Sequence, residues 1–170
     1  MIPKRVRWKT AAARCAGTSA LVLCLAAPPA ESQDAPRFLN PAGMPPSKGY
    51  TQMVEIPAGN RLLFFSGQVP LDSTGTLRGG SDFRRQAKQV FENLRAGLAA
   101  AGAGFEDVVK LNFYVRDVRH LPALRQVRDE YVNLAAPPAS TLVQVSGLYR
   151  EDVLLEVEAI AAVPESGARP

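Results

Sequence analysis

An α+β domain with its helices on one face of a sheet is the fold class this sequence predicts. Two observations carry that prediction. Several short stretches alternate apolar and polar residues, as strands with one buried face do. Two other segments repeat apolar residues every three or four positions, which is helical spacing. Read in order, the elements are β-β-(β)-α-β-α-β-β.

Each element has its own local reason. Residues 33–48 are rich in Pro, Gly and Asn, with Phe38-Leu39-Asn40-Pro41 as the one apolar point, and read as an arm packed on the domain. Residues 50–56 alternate as a strand. Pro57-Ala58-Gly59-Asn60 is turn chemistry, and Arg61-Leu62-Leu63-Phe64-Phe65 is a short apolar strand that Ser66-Gly67-Gln68-Val69-Pro70 breaks. Asp72-Ser73-Thr74-Gly75 and Gly79-Gly80 mark turns. Ser81 then caps a helix whose stripe is Phe83, Ala87, Val90, Phe91, Leu94 and Leu98, ended by Gly102 or Gly104. Val109, Leu111, Phe113 and Val115 form a half-buried strand. A second helix starts near His120-Leu121-Pro122, packs through Leu121, Leu124, Val127 and Tyr131, and stops before Pro137-Pro138. The last two strands, 138–146 and 153–160, flank a Gly147–Asp152 loop and read as a β-hairpin. Glu156 and Glu158 share one side of its second strand. A carboxylate among Val, Ala and Ile is costly to bury without a partner, which marks Glu158 as a candidate for chemistry.

The opening of the chain is of another kind. Lys4, Arg5, Arg7, Lys9 and Arg14 precede an apolar run from about Ala16 to Ala27, and small residues follow. This is the layout of a secretory signal peptide over residues 1–32, and it predicts a secreted or periplasmic protein. The apolar run is roughly a dozen residues, short of the about 20 that span a bilayer, so no membrane association is expected once the signal is removed. Five of the 20 basic residues and one of the 16 acidic ones lie before Gln33, leaving 15 of each. The basic balance belongs to the signal and predicts no nucleic-acid partner. Both cysteines, Cys15 and Cys24, belong to it as well, which leaves the mature chain without thiol chemistry or disulfides.

Little of the usual catalytic inventory remains. His120 is the one imidazole, placed at a helix start where a capping or solvated role is the common one. One His and no Cys remove the support for zinc sites and His-dependent triads, so no metal is expected. No phosphate loop is present. What is left is a set of small polar groups at strand ends: Tyr50, Ser66, Gly67, Ser140, Thr141 and Glu158. Singly, each has an ordinary structural explanation in a turn, a strand end or an ion pair.

Taken together the motifs resemble a known family. Gly49-Tyr50-Thr51-Gln52, the run from Phe65 to Asp72, Gln86 to Leu94, Asp107-Val108-Val109-Lys110, and Glu156 to Ala161 are similar, in order and spacing, to the Rid (YjgF, reactive intermediate deaminase) family. The likeness covers residues 36–163, with the Rid-like domain at 49–163 and a tail at 164–170. It implies a chorismate-mutase-like subunit, a homotrimer, and a small-molecule ligand in each inter-subunit cleft. It further implies hydrolysis of imines and enamines to keto acids and ammonia without cofactor or metal. By the same resemblance Glu158 holds the attacking water, the backbone at Ser66 and Gly67 receives substrate, and Tyr50 closes the cleft from a neighbouring subunit. Ser140 and Thr141 are the corresponding substrate-binding positions on the next-to-last strand.

One departure stands out. Active deaminases of the family read Pro-Ala-Arg-Ser/Thr, whose arginine grips the substrate carboxylate with two hydrogen bonds. This chain reads Pro138-Ala139-Ser140-Thr141, with Leu142 following. A serine cannot replace a planar cation, and losing a buried charge-assisted pair costs on the order of 2–5 kcal/mol. The expectation is a hydrolase with an altered substrate, or alternatively a non-catalytic trimer that binds a small metabolite. A ribonuclease role, also associated with the family, fits poorly with a charge-balanced mature chain.

Overall fold

The protein is described here by a computed structural model covering residues 35–165. The expected signal peptide lies outside the described residues. Three strands and a helix lead: β1 (Arg37–Leu39), β2 (Met53–Glu55), β3 (Asn60–Gln68) and α1 (Phe83–Ala100). After them come β4 (Val108–Val115), α2 (Leu121–Arg128), β5 (Ala139–Gln144) and β6 (Leu155–Pro164). The proline-rich arm contributes β1, which pairs antiparallel with β2 in a two-stranded ribbon. The other four strands form one sheet in the order β3-β6-β4-β5.

Both helices cover one face of that sheet. Every residue of the expected α1 stripe is buried, and Leu124 and Val127 of α2 join the same core. Strand alternation supplies the rest: Leu111, Phe113 and Val115 of β4 and Leu155, Val157, Ala159 and Ala161 of β6 are buried beneath the helices. This is the α+β arrangement the patterning predicts. Small boundary differences have local causes. Asp82, not Ser81, caps α1, because its carboxylate accepts the Arg85 amide (3.2 Å). α1 ends at Ala100, where Ala103 N–H reaches back to the Leu98 carbonyl (2.9 Å). α2 stops at Arg128, so Tyr131 packs from the following turn.

The expected hairpin of the last two strands does not form. β5 lies at the sheet edge, parallel to β4, while β6 inserts between β3 and β4 and runs antiparallel to both. Alternation identifies a strand and its buried face but not its partner. β6 is the longest strand, and its central place pairs its backbone on both edges as well as burying one face.

α1 is tied to this strand by Gln86, which is completely buried. Its Nε2 donates to the carbonyls of Gly80 (2.5 Å) and Asp152 (2.8 Å), and its Oε1 accepts the Leu154 amide (2.8 Å). One glutamine thereby fixes where β6 begins.

Candidate functional site

A bulge in β3 organises the open face of the sheet. Phe65 pairs with Ala159 and Gln68 with Val157, so Ser66 and Gly67 together stand opposite Glu158. The expected break in the strand is this bulge. On the other side Glu158 pairs with Asn112, and Asn112 with Thr141. One row therefore crosses the sheet on the side away from the helices: Ser66 and Gly67, Glu158, Asn112, Thr141.

Hydrogen bonding gives the row an asymmetry. Glu158 Oε2 accepts from Asn112 Nδ2 (3.2 Å) and from the Tyr114 hydroxyl (2.9 Å). That holds the carboxylate in one orientation and leaves Oε1 without a hydrogen-bond partner among the described residues. Ionising Tyr114 would lose its hydrogen bond to Glu158 and set two anions together, so the phenol is pushed above its ordinary range. Lys110 Nζ donates to Thr141 Oγ1 (2.7 Å), and partial burial lowers the lysine's pKa. Glu156 lies against the bulge: a Cβ added at Gly67 would sit 1.7 Å from Glu156 Oε1, so a side chain there would displace the glutamate. Around this polar row the face is apolar and uncovered, with Phe64 74% exposed and Leu62 and Val143 exposed beside it.

Tyr50 and Ser140 belong to the other side. Ser140 and Leu142 pair with Leu111 and Phe113 of β4, the residues that face the helices. Tyr50 is brought alongside by the Thr51 amide, which donates to the Pro138 carbonyl (3.3 Å). These residues line a cavity of about 140 Å³ at the edge of α2, together with Lys48, Phe113, Leu121, Leu124, Arg125 and Arg128. Leu121, Leu124, Arg125 and Arg128 recur at three- and four-residue steps and share one face of α2. Arg128 is 8% exposed and ion-paired with Asp129 through Nε (2.9 Å). Gly49, at φ +78°, lets the chain pass so close that an added Cβ would lie 2.7 Å from Arg128 Nη2.

The six candidate residues thus fall into two groups on opposite sides of the sheet. Ser66, Gly67, Glu158 and Thr141 share the open face; Tyr50 and Ser140 share the α2 cavity. Asn112, Tyr114, Arg125 and Arg128 are functional candidates that the sequence reading did not pick out. Their signals were present: Asn112 and Tyr114 alternate with the buried residues of β4, and the two arginines keep step with the α2 packing stripe. His120 stacks on Phe83 (ring centroids 4.4 Å apart), with its buried Nδ1 lacking a hydrogen-bond partner among the described residues. Arg150, the cation of the β5–β6 connection, pairs with Asp152 (2.9 Å). Among the described residues no three His, Cys, Asp or Glu side chains converge as a metal site would require.

Comparison with known proteins agrees with this architecture. The profile of the Endoribonuclease L-PSP family matches residues 42–163. A RutC family protein of Synechocystis is 39% identical over 108 residues, 63% of this chain and 82% of that protein. A 2-iminobutanoate/2-iminopropanoate deaminase of Dermatophagoides farinae is 31% identical over 123 residues, 72% of this chain and 92% of that protein. The crystal structure of a Rid-family protein from Yersinia pestis superposes with a TM-score of 0.68 at 35% identity, covering 75% of this chain and 98% of that one. With these matches spanning the sheet, both helices and the bulge, the chain belongs to the Rid (YjgF) family and has its chorismate-mutase-like fold.

Proposed function

We propose that this protein hydrolyses a small imine or enamine, with Glu158 as the residue that handles the proton of the attacking water. The observation that carries the reading is the state of that carboxylate. Asn112 and Tyr114 hold Oε2, while Oε1 has no partner among the described residues and, opposite the Ser66–Gly67 bulge, is available to orient a water. In the reaction, water adds to the C=N carbon as Glu158 takes its proton. With the imine nitrogen already protonated this gives a neutral carbinolamine. Glu158 returns the proton to nitrogen, C–N breaks and ammonia leaves, and the hydroxyl gives its proton to Glu158 as C=O forms. The similarity to a 2-iminobutanoate/2-iminopropanoate deaminase supports this reaction.

The working site is then one shared between subunits. Tyr50 and Ser140 lie on the face of the sheet opposite Glu158, so a cleft containing all three draws on two copies of the chain. The uncovered Phe64, Leu62 and Val143 give the open face the apolar area to pack against such copies. We propose a homotrimer on this basis and on the family resemblance. Export, with cleavage near Gln33, is part of the same reading and rests on the opening residues alone.

A second reading has its own observation. Ser140 stands where active relatives carry a carboxylate-binding arginine, which favours a trimer that binds a small metabolite without turning it over. The test is ammonia release from 2-iminopropanoate generated in the assay, using protein that begins at Gln33. Turnover that falls at least a hundredfold in Glu158→Gln supports the hydrolase. No turnover by the unsubstituted protein, on this imine or on uncharged ones, leaves the binding reading in its place.

A further inference from the structure

The cavity beside Ser140 is strongly cationic. Lys48, Arg125 and Arg128 all line it, and Asp129 compensates only Arg128. Among the described residues no carboxylate pairs with Arg125 or Lys48. The rest of the lining divides cleanly. Ser140 and Tyr50 offer neutral hydroxyls, and Phe113, Leu121, Leu124 and Leu142 offer apolar surface.

Unpaired cations around a small, half-apolar pocket are matched by one kind of ligand: an organic acid with a short apolar side chain. Of the three cations, Arg128 is already engaged and buried. Lys48 sits on a Pro- and Gly-rich segment, whereas Arg125 is mounted on a regular helix one turn from Leu121 and adjacent to Leu124 in the packing stripe. A guanidinium so placed presents two parallel N–H donors to a carboxylate from a fixed base.

We propose that Arg125 is the specificity-determining cation of this cavity. It takes the carboxylate of the ligand from α2, in place of a cation at position 140 on β5. Ser140 then leaves room in the cavity for that carboxylate and adds a hydrogen bond, and Lys48 contributes charge at the mouth. The proposal deepens the reading of the same cleft given above. It names the ligand class of that cleft as a small acid.

The experiment is a calorimetric titration of the protein beginning at Gln33 with 2-oxobutanoate, a stable product-like acid, and with its uncharged amide. The acid is expected to bind at least tenfold more tightly than the amide. Arg125→Gln should abolish that preference and Arg125→Lys should restore part of it; circular dichroism checks that both fold. Equal affinity for acid and amide, no binding of the acid, or an unchanged preference in Arg125→Gln overturns the assignment. A preference lost only in Lys48→Gln overturns it in favour of Lys48. The hydrolase reading fails separately. Acid binding that depends on Arg125 without turnover of 2-iminopropanoate or of uncharged imines keeps this proposal and removes that reading. Turnover of 2-iminopropanoate that survives in Arg125→Gln does the reverse.

Discussion

Replacing Gln86 with leucine removes one buried tie while nearly conserving volume, so its cost can be worked from three hydrogen bonds. The Leu154 amide loses its acceptor, and an unsatisfied buried donor costs about 1–3 kcal/mol. The carbonyls of Gly80 and Asp152 lose a donor too, but both residues are exposed and water can replace it, at roughly a few tenths of a kcal/mol each. Burying an apolar side chain in place of an amide returns about 1 kcal/mol. The net destabilisation is about 0.5–3 kcal/mol, or roughly 2–12 °C in Tm for a folded unit of this size. Urea and thermal unfolding, at one fixed protomer concentration because assembly would contribute to stability, give the number. Hydrogen exchange gives the location: protection should drop first at Leu154 and Leu155. Unchanged stability, or protection lost uniformly along the sheet, would refute the idea that Gln86 anchors the start of β6.

Two further outcomes follow from the site. Gly49→Ala should destabilise by about 1–2 kcal/mol, since φ +78° disfavours a side chain and the new Cβ meets Arg128; urea unfolding measures this, and a neutral substitution would contradict the close approach. Tyr114 should ionise above the ordinary tyrosine range near 10, because its hydroxyl is held by Glu158. With the folded-state pKa raised, the stabilisation is complete below about pH 10 and is lost as pH rises through the folded value. Ultraviolet titration of the protein against Tyr114→Phe isolates this phenol, and its pKa should fall in Glu158→Gln.

How far the sequence carries the fold depends on what each pattern encodes. The α1 stripe and the alternation of β4 state which side chains are buried, and those residues are buried. The hairpin expectation failed because period 2 is silent about neighbours: 139–144 and 155–164 alternate well, yet they are separated in the sheet by β4. Glu158 was legible as one of two carboxylates on an otherwise apolar strand. Its holders Asn112 and Tyr114 were not, because their relation to it is a cross-strand register between residues far apart in the chain. Gln86 looked like any polar helix residue, although its position between Phe83 and Ala87 placed it inside the apolar stripe. Arg125 and Arg128 were concealed in the same way.

The position of β6 has a consequence for how the chain acquires its structure. The last strand of the described residues is a central one, and it pairs on both sides with strands made much earlier. Until it arrives, β3 has no partner in the main sheet and β4 pairs only with β5, so both present open edges. Assembly of the sheet is therefore held back until residues 155–164 have been made, and it proceeds by long-range closure, which is slow. A nascent chain lacking 155–164 would remain incomplete as a whole, with the two halves of its sheet unable to reach each other.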